Sequence, residues 1–359
     1  MDRRTFVGAG IGLGLAAAFP GSLSAKNTPA GAPAKKKKNK LIKPPRLEAG
    51  QTVGLIAPGW LISEDNLKSS IEHLALFGLK AVHTPRILGR HGYFSGTDAE
   101  RAADINEMFS RSDVDGIVCV RGGYGCGRLL DNIDYAAIRK NPKVLLGYSD
   151  VTALLNAIFQ ETGLVCFHGP VGTSMHRDYN AQQIRNVLMN PVAPYRIENA
   201  EGDLQRAAQN AVYERYTIIP GTATGPLIGG NLSLVSAMVG TPHELDLAGK
   251  IVCIEEVDEE PYHIDGMLTQ LILSGSLNKA AAVVFGICSG CERPESGGDA
   301  PNSFTLREVV QERLAPLGIP SAYGLSFGHN IHNFTIPIGL QARFDADAMC
   351  IELLDTAVI

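Results

Sequence analysis

The stretch Lys143-Val-Leu-Leu-Gly-Tyr-Ser149-Asp150-Val-Thr-Ala-Leu154 changes character halfway. Val144 to Leu146 is a short apolar run of the kind that forms a buried strand. From Asp150 the pattern turns helical. Ala153, Leu154, Leu155, Ala157, Ile158 and Phe159 make a broad apolar face, with Asp150 and Thr152 at its start. Between the two lies Gly147-Tyr-Ser149-Asp150. A serine on a tight strand-to-helix turn has an exposed hydroxyl, with the backbone N–H groups of the helix start beside it. This is a nucleophile elbow in outline, although Val151 stands where G-x-S-x-G has its second glycine. The same residues fit a plainer role, with Ser149 capping the helix through its side chain.

Working outward, the same alternation recurs. Thr52–Ala57 reads as a strand and turns at Pro58-Gly59; residues 63–78 read as a helix, 81–83 as a short strand, and 97–110 as a helix with Asp98 and Glu100 in its first turn. Gly116–Val120 is a buried strand running into Arg121-Gly-Gly-Tyr-Gly-Cys-Gly127, and residues 134–140 are helical. Such βαβα alternation indicates an α/β fold with a parallel sheet covered on both faces. Sites in these sheets form beyond the carboxyl ends of the strands, where both Arg121–Gly127 and Gly147–Asp150 fall. Residues 164–170 read as a strand and turn, and 181–189 as a helix. The polar stretch 191–220 reads as an irregular interdomain connection. The expected division is an N-terminal domain over 47–190 and a second domain over 221–359. The second holds a helix at 232–239, a strand over 250–254 ending at Glu255-Glu256, a helix at 261–275, a strand at 281–287, a helix at 303–315 and short strands over 320–354.

A chain of 359 residues, 45% hydrophobic, can bury the cores of two domains. Its net charge of −5 hides an asymmetry. Arg3, Arg4, Lys26, Lys35 to Lys38, Lys40, Lys43 and Arg46 all precede residue 47, with Asp2 as the sole acid there. The body is therefore acidic, which argues against nucleic acid as a partner. Residues 1–25 have the form of an export signal. Arg3-Arg4 resembles a twin-arginine motif, followed by a Gly/Ala run too short and glycine-rich to span a bilayer stably. The expected compartment is the periplasm, with no stable membrane insertion after signal removal. Residues 26–46 read as a basic, disordered tether. The seven cysteines are scattered through apolar runs and do not form a disulfide framework. Cys288-Ser-Gly-Cys291 is a CxxC leading into a Gly/Pro-rich loop, which is not the setting of a thioredoxin-like site.

Three chemically capable side chains stand at strand ends or turns: Ser149, Glu255 and His329. A serine becomes a good nucleophile only when a neighbouring base takes its proton, and the base works best when a carboxylate fixes its tautomer. The order Ser…Glu…His is one that hydrolases use. Each residue also has a bland reading. Glu255 opens the acidic run Glu255–Glu260, which could be only a solvated loop or a cation site. His329-x-x-His332 could hint at a metal, but lacks the Glu that gives H-E-x-x-H its meaning. Arg121-Gly-Gly-Tyr-Gly lacks the Lys-Ser/Thr of a phosphate loop; its glycines instead let backbone N–H groups approach a substrate oxygen.

Taken together, Ile56-Ala-Pro58, Arg121-Gly-Gly-Tyr-Gly, Gly147-Tyr-Ser-Asp-Val-Thr, His168-Gly-Pro, Ile228-Gly-Gly-Asn-Leu, Ile254-Glu-Glu and Gly328-His-Asn-Ile-His-Asn-Phe-Thr-Ile-Pro-Ile-Gly339 resemble the LD-carboxypeptidase family of serine peptidases, which also contains microcin C self-immunity peptidases. The likeness runs from about residue 50 to 354. It implies a Rossmann-like N-terminal domain and a smaller β-rich α/β C-terminal domain, often in a homodimer. It further implies Ser149 as nucleophile, His329 as base and Glu255 as its orienting acid. The oxyanion hole would come from the N–H groups of Gly123, or Gly122, and of Asp150. No cofactor or metal is implied. Arg121 and Tyr124 are the candidates for holding substrate, Arg121 by pairing with a free carboxylate. Cys126 departs from the pattern, standing where a serine is expected. The expected activity is removal of the terminal D-Ala from a muropeptide tetrapeptide of peptidoglycan. The alternatives are an immunity-type peptidase acting on a peptide-nucleotide or acylated peptide, a non-catalytic cell-wall binding protein, and a metal-dependent hydrolase built on His329, His332 and the acidic loop.

Overall fold

Five strands, Thr52–Ile56 (β1), Lys80–Val82 (β2), Gly116–Cys119 (β3), Val144–Gly147 (β4) and Cys166–His168 (β5), alternate with helices Glu64–Ala75 (α1), Asp98–Ser110 (α2), Tyr135–Lys140 (α3) and Val151–Thr162 (α4) in the computed structural model, which describes residues 39–292 and 303–359. The expected export signal over residues 1–25, and residues 26–38 of the expected tether, lie outside the described residues. The strands pair in parallel in the spatial order β5-β4-β3-β1-β2. The alternation expected from sequence is thus present, and each of its central strands is buried. The chain leaves β1 toward β2 and later leaves β3 in the opposite direction, toward β4. That reversal opens a crevice at the carboxyl ends of β1 and β3. Helices α1 and α2 begin at capping boxes, Ser63 with Asn66 and Thr97 with Glu100, which satisfy N–H groups a helix start leaves without partners.

The stretch 191–220 departs from its expected irregularity. It contains Tyr195–Ile197 (β6) and Tyr216–Ile219 (β7), separated by helix Glu201–Ala207 (α6); helix Asp178–Ile184 (α5) precedes it. The remaining elements are Thr222–Asn231 (β8), Leu232–Ala237 (α7), Ile251–Glu255 (β9), Pro261–Leu273 (α8), Ala282–Gly286 (β10), Leu306–Leu314 (α9), Ser321–Leu325 (β11), Ile336–Ile338 (β12), Gln341–Asp345 (β13) and Cys350–Leu353 (β14). They build a second sheet in the order β6-β14-β13-β8-β9-β10-β11-β7. Its centre, β8 to β11, is parallel, and its flanks are antiparallel. The supposed connection therefore supplies both edge strands of this sheet. Half-exposed edge strands of three and four residues are too short to show a distinctive period, which is why the pattern read as irregular. Strand β12 crosses back and pairs antiparallel with β5, completing a six-stranded first sheet.

Helix α4 lies between the two sheets. Its residues from Val151 to Ile158 are all buried, including Thr152 and Asn156. A helix apolar all round has no solvent face to keep, and here one side meets the first sheet while the other meets β8 and α7. Its two polar residues act as fasteners. The Asn156 side-chain amide donates to the Gly229 carbonyl at 2.8 Å, and Thr152 Oγ1 accepts the Asn231 N–H at 2.9 Å. Gly230, at φ +135°, permits this approach, since a Cβ there would fall 2.4 Å from Thr152 Oγ1. Replacing Asn156 by Ala strands a buried carbonyl on β8. A loss of about 2 kcal/mol of unfolding free energy is expected, read as a lower urea midpoint with an unchanged slope.

Candidate active site

Ser149 sits at the second residue beyond β4 and adopts φ +65°, a left-handed conformation uncommon for a side-chain-bearing residue. The turn is tight because α4 must start at once to stay between the sheets. Asp150, the N-cap of α4, makes no capping bond with its side chain, and the Ser149 hydroxyl is engaged elsewhere. The plainer reading of Ser149 as a helix cap does not describe the structure. The Ser149 Oγ lies 2.9 Å from His329 Nε2.

His329 is carried by the loop between β11 and β12, so one end of that loop is anchored in each sheet. Its Nδ1 lies 2.7 Å from Glu255 Oε2, and its backbone N–H donates to the same oxygen at 3.1 Å. Glu255 ends β9 and has no solvent exposure. With a carboxylate accepting at Nδ1–H, the ring leaves Nε2 as acceptor for the serine hydroxyl. Two glycines make room for the carboxylate. A Cβ on Gly328 (φ +93°) would lie 2.5 Å from Glu255 Oε2, and one on Gly286 would lie 3.1 Å from Glu255 Cβ. The loop is held by a buried network. Asn333 Oδ1 accepts the Gly328 N–H at 3.0 Å, and Asp203 accepts from Ser326 Oγ, Asn330 Nδ2 and His332 Nδ1.

These contacts set the electrostatics. Burial alone would push the Glu255 carboxyl up, but the His329 charge, the His168 ring and the His329 hydrogen bond together hold it well below the usual carboxylate range. Burial pulls His329 down, yet the Glu255 carboxylate, by charge and by hydrogen bond, raises it overall above 6.5, with Glu256 and Asp258 adding to the effect. His168, fully buried at the end of β5, places Nε2 3.7 Å from Glu255 Oε1, an electrostatic contact too long for a hydrogen bond. The Tyr148 ring lies 4.9 Å from the His329 ring, and burial pushes its hydroxyl up to about 12.

The Arg121–Gly127 turn closes the other side. Gly122 packs directly on the serine: a Cβ there would fall 2.7 Å from Ser149 Cβ. Among the hydrogen bonds of the described residues, the N–H groups of Gly123 and Asp150 have no acceptor within the chain. The Asp150 carboxylate, 2% exposed, ties the turn to the nucleophile by accepting the Cys126 N–H at 2.8 Å. The Cys126 thiol is buried beside the same carboxylate, and burial first, then the Asp150 charge and hydrogen bond, push it far above its ordinary value. Arg121 is half-buried and pairs with no carboxylate among the described residues. The Tyr124 ring, one residue beyond Gly123, packs with Phe94 and Tyr93.

Sequence thus locates Ser149, Glu255, His329 and the Gly122–Gly123 turn, which the fold brings together. His329 and His332 diverge, one to Glu255 and the other to Asp203, and no group of three metal-ligating side chains occurs among the described residues. Glu256 is no solvated acid: it is 3% exposed and accepts from Asn231 Nδ2 and from the Ser233 N–H and hydroxyl, at the start of α7. Cys288, Cys291 and the other five cysteines are buried free thiols. The roles of Asp203, His168 and Asn333 escape a sequence reading because they lie in partners distant along the chain; the His168-Gly-Pro and Gly328–Gly339 motifs mark two of the residues without saying what they do.

Comparison with known proteins bears on the family. The LD-carboxypeptidase N-terminal domain model matches residues 53–169 and the LD-carboxypeptidase C-terminal domain model matches residues 224–344. The chain is 36% identical over 306 residues to the "Probable murein peptide carboxypeptidase" of Bacillus subtilis (strain 168), covering 84% of this chain and 91% of that one. It is 29% identical over 300 residues to the "Murein tetrapeptide carboxypeptidase" of Pseudomonas aeruginosa, covering 83% and 94%. The solved structure of the microcin C7 self immunity protein MccF in its wild-type apo state superposes with a TM-score of 0.78 at 25% identity, over 89% of this chain and 100% of that one.

The raised pKa of His329 has a direct check. A histidine so shifted keeps its proton to higher pH than an ordinary one. An NMR titration of the His329 ring is expected to show a midpoint above 6.5, and Glu255→Gln is expected to bring that midpoint down.

Proposed function

The chain belongs to the LD-carboxypeptidase family and is a serine-type carboxypeptidase, and on that premise we propose that it releases the terminal D-Ala from muropeptide tetrapeptides, cutting after the L-centre of a diamino acid. The observation that carries the reading is the continuous relay from Ser149 Oγ to His329 Nε2, 2.9 Å, and from His329 Nδ1 to Glu255, 2.7 Å.

In the proposed mechanism Ser149 Oγ attacks the carbonyl carbon before the terminal residue while His329 Nε2 takes its proton. The N–H groups of Gly123 and Asp150 donate to the oxyanion. The proton on Nε2 then passes to the leaving amine as the C–N bond breaks. Water, deprotonated by the same nitrogen, hydrolyses the acyl-serine. Glu255 holds the ring in the tautomer this requires and balances the imidazolium charge. Arg121, lacking a carboxylate partner among the described residues, is the cation proposed to pair with the free carboxylate of the terminal D-Ala. The export-signal pattern of residues 1–25, outside the described residues, supports placing this activity in the periplasm on wall or wall fragments. A homodimer is part of the same proposal, from the family resemblance.

The superposition with the microcin C7 self immunity protein favours one second reading, the same chemistry on a peptide-nucleotide or acylated peptide. A purified disaccharide-tetrapeptide incubated with the protein decides between them by mass spectrometry. A product lighter by one alanine residue is expected, with a rate lowered about 10⁴-fold or more in Ser149→Ala and about 10³–10⁴-fold in Glu255→Gln. Cleavage of a peptide-nucleotide with every tetrapeptide left intact would favour the second reading. Because the chain's own side chains and backbone N–H groups carry the proposed steps, EDTA is expected to leave the rate unchanged. A rate abolished by EDTA and restored by zinc would count against the mechanism.

A further inference from the structure

The relay explains cleavage but not where the rest of a large substrate rests. Four aromatic rings gather beside it: Trp60, Tyr93, Phe94 and Tyr124. Aromatic residues are scarce in this chain, 6% with a single tryptophan, yet three of these four are open to solvent, at 38%, 45% and 52% for Trp60, Tyr93 and Tyr124. Contiguous exposed apolar surface of this kind marks a binding site more often than scattered single residues do. The rings form one surface. Trp60 and Tyr93 stack with centroids 5.3 Å apart, Tyr124 stacks on Phe94 at 6.1 Å, and Tyr93 meets Phe94 edge-on at 4.4 Å.

The surface is built rather than incidental. Trp60 follows β1 and Tyr124 follows β3, so the rings flank the point where strand order reverses, the place where open α/β sheets bind ligands. One buried cation holds the loops beneath them. Arg101 donates to the Pro58 carbonyl and to the Gly125 carbonyl, pairs with Asp98 at 2.6 Å, and lies 3.9 Å over the Phe94 ring. The Leu61 N–H donates to the Tyr93 carbonyl at 3.0 Å, joining the loops directly. The surface is also continuous with the nucleophile: the Trp60 N–H points to the Gly122 carbonyl at 3.4 Å, and Gly122 packs on Ser149.

We propose that Trp60, Tyr93 and Tyr124 form a glycan subsite that stacks a hexopyranose ring of the substrate; this rests on the muropeptide reading above and names which part of the muropeptide lies there. A pyranose offers a flat patch of C–H groups on one face and hydroxyls around its rim. The first matches an exposed aromatic face. The second matches the charged border, where Arg128, paired with Asp98, reaches over Phe94 at 5.0 Å. With Trp60 and Tyr93 already stacked at 5.3 Å, no slot remains between them for a planar base, which favours a sugar lying on an open face over an intercalated nucleobase.

Trp60 as sole tryptophan makes the test direct. The full chain is titrated with peptide-free N-acetylglucosaminyl-N-acetylmuramic acid while tryptophan fluorescence is followed, with adenosine monophosphate as the parallel probe. A saturable change with the disaccharide, weakened about tenfold or more in Tyr124→Ala, is expected. Saturation by the nucleotide alone, or by neither, would overturn the proposal, whatever the outcome for D-Ala release. In the kinetic arm, the ratio of kcat/KM for disaccharide-tetrapeptide over free tetrapeptide is expected to be about ten and to fall toward one in Trp60→Leu. A ratio near one in the native enzyme, or one unmoved by the substitution, would also overturn it. Loss of both activities in Trp60→Leu is read against its circular dichroism and against Tyr93→Ser: equal losses on both substrates in two folded variants count against a sugar contact.

Discussion

A carboxylate with no solvent exposure stands at the end of β9, and the rest of the site follows from what Glu255 needs. A buried charge is tolerated only when paired and hydrogen-bonded. Glu255 gets both from one residue, since His329 offers its ring and its own backbone N–H to the same oxygen. That double contact demands a backbone bent back on itself, and Gly328 at φ +93° provides the bend without a side chain that would collide with the carboxylate. Once the ring is fixed on Glu255, its other nitrogen can face only one way, toward Ser149.

The nucleophile is held from the opposite direction by helix packing. Helix α4 has no exposed face because it fills the space between the sheets, so its start cannot shift to relieve Ser149. The left-handed conformation of Ser149 costs of order 1–3 kcal/mol and persists because its surroundings over-determine it. Asp150 adds to that constraint by using its side chain on the Cys126 N–H, drawing the Gly122–Gly123 turn onto the serine. Domain packing and site geometry are therefore one problem here. The loop that bears His329 begins in one sheet and ends as β12 in the other, while Asn156 and Thr152 fasten α4 to β8.

Much of this was legible beforehand where the cause is local. Strand–turn–helix at 143–159 shows in the change of hydrophobic period, and the start of α2 shows in the acids Asp98 and Glu100 of its first turn. Edge strands β6 and β7 were not legible, because a half-solvated strand of three or four residues has no distinctive period. The burial of Glu256 was not legible for a related reason: its partners, Asn231 and Ser233, lie more than twenty positions away.

By itself the sequence determined the α/β class, the turn that exposes Ser149, and the residue types able to complete a relay, since each depends on spacing along the chain. It could not decide whether Ser149 capped its helix or faced a base. Only the tertiary structure decided that, by bringing residues 149, 255 and 329 into one hydrogen-bonded line. The same holds for Trp60, Tyr93 and Tyr124, which are ordinary loop aromatics until Arg101 gathers their loops at the reversal of strand order. The reason is physical in both cases. Burial and direction belong to the folded chain: a carboxylate acquires its low pKa, and a ring its exposed face, only when distant segments have excluded water on one side and left it on the other.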